Sequence, residues 1–152
     1  MARLVAGLVV ALALLSDASP ADAGPFGLGM IVGEPTGVSA KLVIGRKNAV
    51  DGALAWSLDD SDDLYVHADY LFHDYNLIPV EKGRLPLYFG LGGRVRLRED
   101  RDDTVGMRFP VGLEYIFATA PFEVFVEIAG ILDLAPDTDF DVNGGLGARF
   151  TF

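Results

Sequence analysis

Residues 121–134 read PFEVFVEIAGILDL, and their side chains alternate between two chemical classes. Every second residue, starting at Phe122, is apolar or glycine, whereas the positions between them include Glu123, Glu127 and Asp133. Successive side chains of a β-strand point to opposite faces, so this period of two predicts a strand with one apolar and one charged face.

The same alternation continues outward from this stretch and covers most of the chain. The breaks between runs carry Pro, Asn, Asp and Ser, which are typical turn residues, and no linker or second domain is indicated. We therefore predict a single all-β domain. Its eight predicted strands are residues 26–33, 37–46, 49–58, 64–75, 86–98, 104–117, 121–134 and 139–152.

The amino-terminal segment has the features of a secretory signal peptide. Arg3 precedes the apolar residues 4–15, and Ala-Asp-Ala at 21–23 is a small-residue cleavage pattern. As a helix, the apolar stretch would span about 18 Å, which is short of the hydrocarbon core of about 30 Å. We predict a signal peptide over 1–23 and one barrel domain over 24–152.

The composition excludes several classes of protein. The chain has 12 Lys and Arg against 22 Asp and Glu, a formal net charge of −10, so a nucleic-acid partner is not expected. It has no cysteine, which excludes a disulfide scaffold and a thiolate zinc site. Its hydrophobic content of 51% is too high for general disorder.

Alternation alone does not say which face of a barrel points outward. A soluble lipocalin-type barrel places the apolar face inside, whereas a transmembrane barrel places it against lipid. Eight strands enclose a narrow interior, which suits the charged face because that face is also rich in small residues. Among these small residues are Gly27, Gly29, Ala53, Gly90, Gly92, Gly106, Gly112, Gly145 and Gly147.

The aromatic residues of the apolar face favour the transmembrane arrangement. Most of them lie near the ends of the runs, where aromatic girdles meet the membrane interface. Phe89, Phe109 and Tyr115 fit this pattern less well. The residues that fit are Phe26, Trp56, Tyr70, Phe72, Phe117, Phe122, Phe140, Phe150 and Phe152.

The chain ends in GARFTF, with Phe150 and Phe152 on the apolar face. With the signal peptide and eight alternating runs, residues 24–152 resemble the small eight-stranded outer-membrane barrels of diderm bacteria, such as the OmpA transmembrane domain and OmpX. The resemblance implies an antiparallel up-and-down barrel in the bacterial outer membrane. It also implies that the barrel-assembly machinery reads Phe150 and Phe152. No motif identifies a subfamily, and the loops are shorter than those common in OmpX-like proteins.

An even number of strands returns both chain ends to one side, which is the periplasm in this family. The acidic turns at 34–36, 59–63, 99–103 and 135–138 are then external. The connections at 47–48, 76–85 and 118–120 are periplasmic, and the second of these is long for that side.

Charged residues of the second face are expected to line the lumen, because Arg or Lys facing hydrocarbon at mid-depth costs about 2–4 kcal/mol. Charges there must be paired, so we expect Arg149 near Glu123 and Glu127. We also expect Asp69 or Glu127 to lie between Arg94 and Arg108. Such a network would plug the lumen; a gated or leaky polar path stays open as an alternative, whereas a water-filled pore is disfavoured because known channels use about 16 or more strands. The predicted network is Lys41, Asp51, Asp69, Arg94, Arg96, Arg108, Glu114, Glu123, Glu127 and Arg149, with Asp133 and Asp141 on the same face.

No catalytic or metal site is predicted. The serines of the barrel domain are Ser39, Ser57 and Ser61, and no histidine–serine motif of the deacylase type accompanies them. His67 and Asp69 lie two residues apart on one strand, about 7 Å, which is too far for reliable contact. Adding His73 gives a candidate metal set, but the spacing is not diagnostic.

We therefore expect a monomeric outer-membrane barrel without cofactor, surrounded by lipid, with a structural or surface-interaction role and no enzymatic activity. Two alternatives stay open: a soluble periplasmic lipocalin-like barrel that binds an apolar ligand, and an enzyme that modifies lipid A. Because the apolar face is predicted to point toward lipid, we expect Val124→Arg or Leu113→Arg to block insertion into the membrane. Arg149→Lys is expected to be mild.

Overall fold

The computed structural model describes residues 24–56, 63–98 and 102–152. The predicted signal peptide, Ser57 and Ser61 lie outside these residues, as does much of two acidic turns. Among the residues described, no helix is long and apolar enough to cross a membrane. The strands are β1 (Phe26–Gly33), β2 (Gly37–Val43), β3 (Asn48–Trp56), β4 (Leu64–Asp74), β5 (Leu87–Leu97), β6 (Thr104–Ile116), β7 (Phe122–Ala135) and β8 (Asp139–Thr151).

The eight strands form a closed barrel in which each strand pairs with its neighbours in sequence. β8 closes the barrel by pairing antiparallel with β1, where Leu28 lies opposite Phe150. Both ends of the described chain therefore lie at one end of the barrel, and the backbone N–H of Phe152 donates to the carbonyl of Phe26 at 2.8 Å. The predicted eight-stranded, antiparallel, up-and-down architecture is confirmed.

Strand ends differ from the prediction mainly at β2 and in the connection after β4. β2 ends at Val43 rather than 46, because the N–H groups of Ile44 and Gly45 donate to the carbonyl of Asn48 and close a turn. The connection between β4 and β5 contains no strand, and its Arg84 forms a bridge with Ile116 of β6.

Burial alternates along the strands with the period of the sequence pattern. In β4, every second residue from Tyr65 to His73 is buried, and the apolar residues between them, such as Val66 and Phe72, are exposed. The charged face therefore lines the interior and the apolar face forms the outer surface. Within the strands, Asp74 at the end of β4 is the charged residue with outward parity.

Aromatic side chains cover the outer surface at the end that holds the chain termini. Phe26 stacks on Phe152 at 6.0 Å between ring centroids, and Phe150 contacts both Phe152 and Phe122. Phe89 and Tyr115, expected to fit less well, also belong to this group, because Phe89 pairs directly opposite Phe72 and Tyr115 contacts Phe117. The terminal aromatic belt is Phe26, Tyr70, Phe72, Phe89, Tyr115, Phe117, Phe122, Phe150 and Phe152.

Candidate functional site: the charged interior

The structure buries nine of the ten charged residues predicted to form the lumen network. Arg96 is the exception: it is half-buried, with its guanidinium carbon 5.9 Å from the centre of the Tyr65 ring. Asp133 is also buried, whereas Asp141 is exposed because it lies near the start of β8, at the rim. The nine buried residues are Lys41, Asp51, Asp69, Arg94, Arg108, Glu114, Glu123, Glu127 and Arg149.

The part of the interior nearest the chain termini holds a group that we call the basal cluster. Lys41 donates to Oε1 of Glu114 at 2.6 Å and to Oε2 of Glu123 at 2.7 Å. Lys41 is on β2, whereas its two carboxylates are on β6 and β7, so these ion pairs cross the lumen. The basal cluster consists of Lys41, Asp51, Glu114, Glu123 and Arg149.

Arg149 connects the other members of the basal cluster. Its Nη1 donates to Glu123 at 3.1 Å, its Nη2 to Asp51 at 3.1 Å, and its Nε to the hydroxyl of Ser39 at 3.0 Å. The guanidinium carbon lies 4.0 Å from the centre of the Phe125 ring. This geometry is a reason to expect a larger effect of Arg149→Lys than the sequence alone suggests, because an ammonium group cannot reproduce a planar fork stacked on a ring.

The central cluster is Asp69, Arg108 and Glu127. Nε of Arg108 lies 3.2 Å from both oxygens of Asp69, and Nη2 donates to Oε1 of Glu127 at 2.5 Å. Nη1 of Arg108 donates to the Tyr65 hydroxyl at 3.0 Å, and the Tyr88 hydroxyl donates to Oε2 of Glu127 at 2.9 Å. Two tyrosines thus complete the hydrogen bonding of a buried arginine and its carboxylates.

Arg94 forms a separate bidentate pair with Asp133, through Nε to Oδ1 at 3.0 Å and Nη2 to Oδ2 at 2.7 Å. The expectation that Asp69 or Glu127 would serve both Arg94 and Arg108 is therefore half right, because both carboxylates bind Arg108 and neither binds Arg94. The pairing of Arg149 with Glu123 is confirmed, whereas its predicted pairing with Glu127 is wrong.

His67 and Asp69 lie closer than their strand spacing suggested. Nε2 of His67 is 3.7 Å from Oδ2 of Asp69, because the two inward side chains lean toward each other along β4. Asp51 of β3 lies directly opposite Asp69, and one ligand atom from each of Asp51, His67 and Asp69 lies within 4.8 Å of the others. Sequence reasoning missed Asp51 as a neighbour because finding it requires the β3–β4 register.

The other candidate residues for chemistry are separated from this group. His73, considered with His67 and Asp69 as a metal set, instead lies 3.4 Å from Glu114 in the basal cluster. Ser39 is buried and accepts the hydrogen bond from Arg149. Ser39 is therefore a hydrogen-bond partner of the ion-pair network.

Comparison of the chain with models of protein families, with curated proteins and with solved structures gives no match.

Proposed function

We propose that the protein is a small β-barrel of the bacterial outer membrane, with a plugged, charged lumen and a structural or surface-interaction role that involves no catalysis. One observation carries this proposal: the barrel is apolar outside and charged inside. Outer-membrane lipid and, during biogenesis, the barrel-assembly machinery are its proposed partners, and we propose that it is a monomer.

The outer surface supports a lipid environment. A soluble monomer rarely exposes a contiguous apolar patch of more than a few hundred Å². Here outward apolar side chains surround the barrel on all eight strands, and six strands have at least nine residues, close to the roughly 9–11 that a spanning strand needs. The terminal aromatic belt corresponds in position to the girdles of membrane barrels.

The interior argues against the lipocalin-like alternative. A barrel that carries an apolar ligand needs an apolar cavity, but the three groups of ion pairs fill the centre of this one. An apolar ligand would have to displace buried charges from their partners, which is costly. A network of this kind is better suited to fixing the packing and register of the strands.

The first test is the mobility of the outer-membrane fraction on a denaturing gel, boiled against unboiled. The proposal predicts a band that stays with the membrane and shifts on boiling, because such barrels resist detergent until heated. A protein found in the soluble periplasmic fraction, with no shift, would overturn the membrane assignment.

Placing a charge on the outer surface tests the same proposal with a single substitution. Ile128 lies at the middle of β7 and its exposed fraction is 62%. Ile128→Arg should destabilise the membrane-inserted state by about 2–4 kcal/mol and reduce the heat-modifiable band. Thr138→Arg, in the exposed turn before β8, adds the same side chain outside the strands and should leave that band unchanged.

If Ile128→Arg inserts as well as Thr138→Arg, the outward face is not in contact with lipid. Ile128→Arg protein that is soluble and folded would likewise show that the outward face does not contact lipid. Both variants are compared at equal expression, with the boiled samples giving total protein.

A further inference from the structure

The basal and central clusters meet at two carboxylates that face each other across neighbouring strands. Asp51 belongs to the basal cluster and Asp69 to the central cluster, and their Cα atoms are direct partners in the β3–β4 ladder. His67 lies beside them, with a ring nitrogen within 4.8 Å of an oxygen of each carboxylate. All three side chains are more than nine-tenths buried.

Two polar atoms of this group have no hydrogen-bond partner among the described residues. They are Oδ1 of Asp51 and Nδ1 of His67. The other oxygen of Asp51 accepts from Arg149, and Arg108 contacts both oxygens of Asp69 from its far side. A buried polar atom without a partner costs about 1–3 kcal/mol, so the unpartnered Oδ1 of Asp51 points to a missing partner beside this group. Nε2 is the His67 nitrogen that lies 3.7 Å from Asp69.

The charge balance of the interior points to the same place. Among the described residues, the buried ionic groups comprise six carboxylates and four cations. The cations are Lys41, Arg94, Arg108 and Arg149, so two carboxylates have no cation to neutralise them. Arg94 and Asp133 balance each other. The basal and central clusters therefore each carry one unbalanced negative charge, and Asp51 and Asp69 are where these clusters touch.

We propose that Asp51, His67 and Asp69 form a binding site for one divalent first-row transition-metal cation, of the kind represented by Zn²⁺ or Co²⁺. Two carboxylate oxygens and an imidazole nitrogen are ligands that such cations accept. Bonds of about 2.0–2.2 Å place neighbouring ligand atoms about 3.3–3.5 Å apart, so the side chains close by roughly 1 Å on binding. A charge of +2 neutralises both clusters at once.

The same chemistry disfavours calcium and magnesium. Both cations prefer oxygen ligands, calcium takes six to eight of them, and magnesium keeps several waters. The group between β3 and β4 offers a nitrogen ligand, and the side chains around it are almost entirely buried. Arg108 and Arg149 orient the carboxylates from outside, as hydrogen-bond donors commonly orient metal ligands.

This inference goes beyond the proposed function and does not depend on it, because the site lies in the interior whether the barrel is in lipid or in water. The test uses the full barrel, stripped with a chelator and refolded with and without Co²⁺ or Zn²⁺. We expect one equivalent of Co²⁺ to remain after dialysis, with visible absorption bands typical of mixed nitrogen and oxygen ligands. We also expect Zn²⁺ to raise the unfolding temperature.

The control variants use the second buried histidine. Asp51→Asn and His67→Gln should each weaken binding of Zn²⁺ by tenfold or more, since each removes a ligand. His73→Gln changes a buried imidazole outside the group and should bind Zn²⁺ as the unaltered barrel does. Far-ultraviolet circular dichroism establishes that each variant is folded, whether the barrel is in lipid or in water.

Three outcomes would overturn the proposal. Refolded barrel that retains no cation shows that protons or the arginines alone balance the carboxylates. Binding that is equal in His67→Gln and His73→Gln shows that the cation sits elsewhere, for example at the acidic rim. Co²⁺ bands that indicate oxygen ligands alone exclude His67, and this measurement needs no variant.

Discussion

Arg108 is completely enclosed by the barrel, with an exposed fraction of 0%, and its guanidinium group is bound by Asp69, Glu127 and Tyr65. A buried ion pair contributes little net stability compared with apolar residues of the same shape. Removing one partner is a different matter, because the other partner then keeps a buried charge without compensation.

Arg108→Leu should therefore destabilise the barrel by about 3–5 kcal/mol, because it leaves Asp69 and Glu127 without their cation. Arg96→Leu is the matched control. Arg96 is half-buried and forms no ion pair with the residues that the structure describes, so we expect a loss of no more than about 1 kcal/mol. Urea unfolding, followed by the fluorescence of the single tryptophan, measures both. Equal unfolding midpoints would contradict this account of the central cluster.

The membership of the network could be predicted from the sequence, but most of its pairings could not. Parity along each strand identifies inward charges, and nine of the ten predicted residues are buried. Several partners lie two strands apart rather than on neighbouring strands: Arg94 of β5 reaches Asp133 of β7 across Gly106 of β6, which lies directly opposite both residues. Only the Arg149–Glu123 pair, on neighbouring strands with direct register, followed from local order.

At the level of the strands, a close approach between β5 and β6 explains one inward glycine. Gly112 lies directly opposite Tyr88, whose ring passes over it to reach Glu127. A Cβ atom at Gly112 would lie 2.4 Å from the Tyr88 ring and 2.6 Å from the carbonyl oxygen of Val126. The side chain and the backbone both block a larger residue there.

Gly112→Ala should cost about 1–3 kcal/mol, because it displaces Tyr88 from Glu127 or distorts the β6–β7 ladder. Gly93 on β5 faces outward, and the nearest atom to a Cβ added there is 3.6 Å away. Gly93→Ala should therefore be neutral or slightly stabilising. Unfolding midpoints in detergent compare the two variants. If the Gly112→Ala barrel is as stable as the Gly93→Ala barrel, Tyr88 can move without a loss of stability.

Strand number and parity are predictable because the period of two is maintained through every strand. Strand ends are less so, since they depend on backbone hydrogen bonds such as those that turn the chain at Ile44 and Gly45. Alternation also gave no indication that Phe89 and Tyr115 join the terminal aromatic belt. That required the stagger between strands, which places Phe89 opposite Phe72.

At the level of the whole molecule, the closing seam between β1 and β8 runs from Gly27–Thr151 to Gly33–Gly145, and its first end lies in the terminal aromatic belt. The Phe152 ring stacks on Phe26 and contacts Phe150. We expect Phe152→Ala to lower the yield of assembled barrel in cells several-fold, with only about 1 kcal/mol lost from the refolded protein, since a half-buried aromatic pair is worth about that much.

Phe140→Ala is the control for this prediction, because Phe140 is exposed by 65% and belongs to the opposite end of the barrel. It removes a similar apolar area without touching the seam, so cellular yield should stay near that of the unaltered chain. Membrane-fraction yield by gel mobility measures both variants. Equal yields would show that the terminal ring is not read during assembly.

For a barrel that inserts into a membrane, as proposed above, the ion pairs that cross the lumen also constrain the order of folding and insertion. Lys41 of β2 meets Glu114 of β6 and Glu123 of β7 across the lumen. A flat sheet would carry Lys41 into hydrocarbon without these two carboxylates, which is costly. Under the proposed membrane location, we therefore expect the sheet to close before it enters the bilayer, because only the closed barrel pairs Lys41 with Glu114 and Glu123.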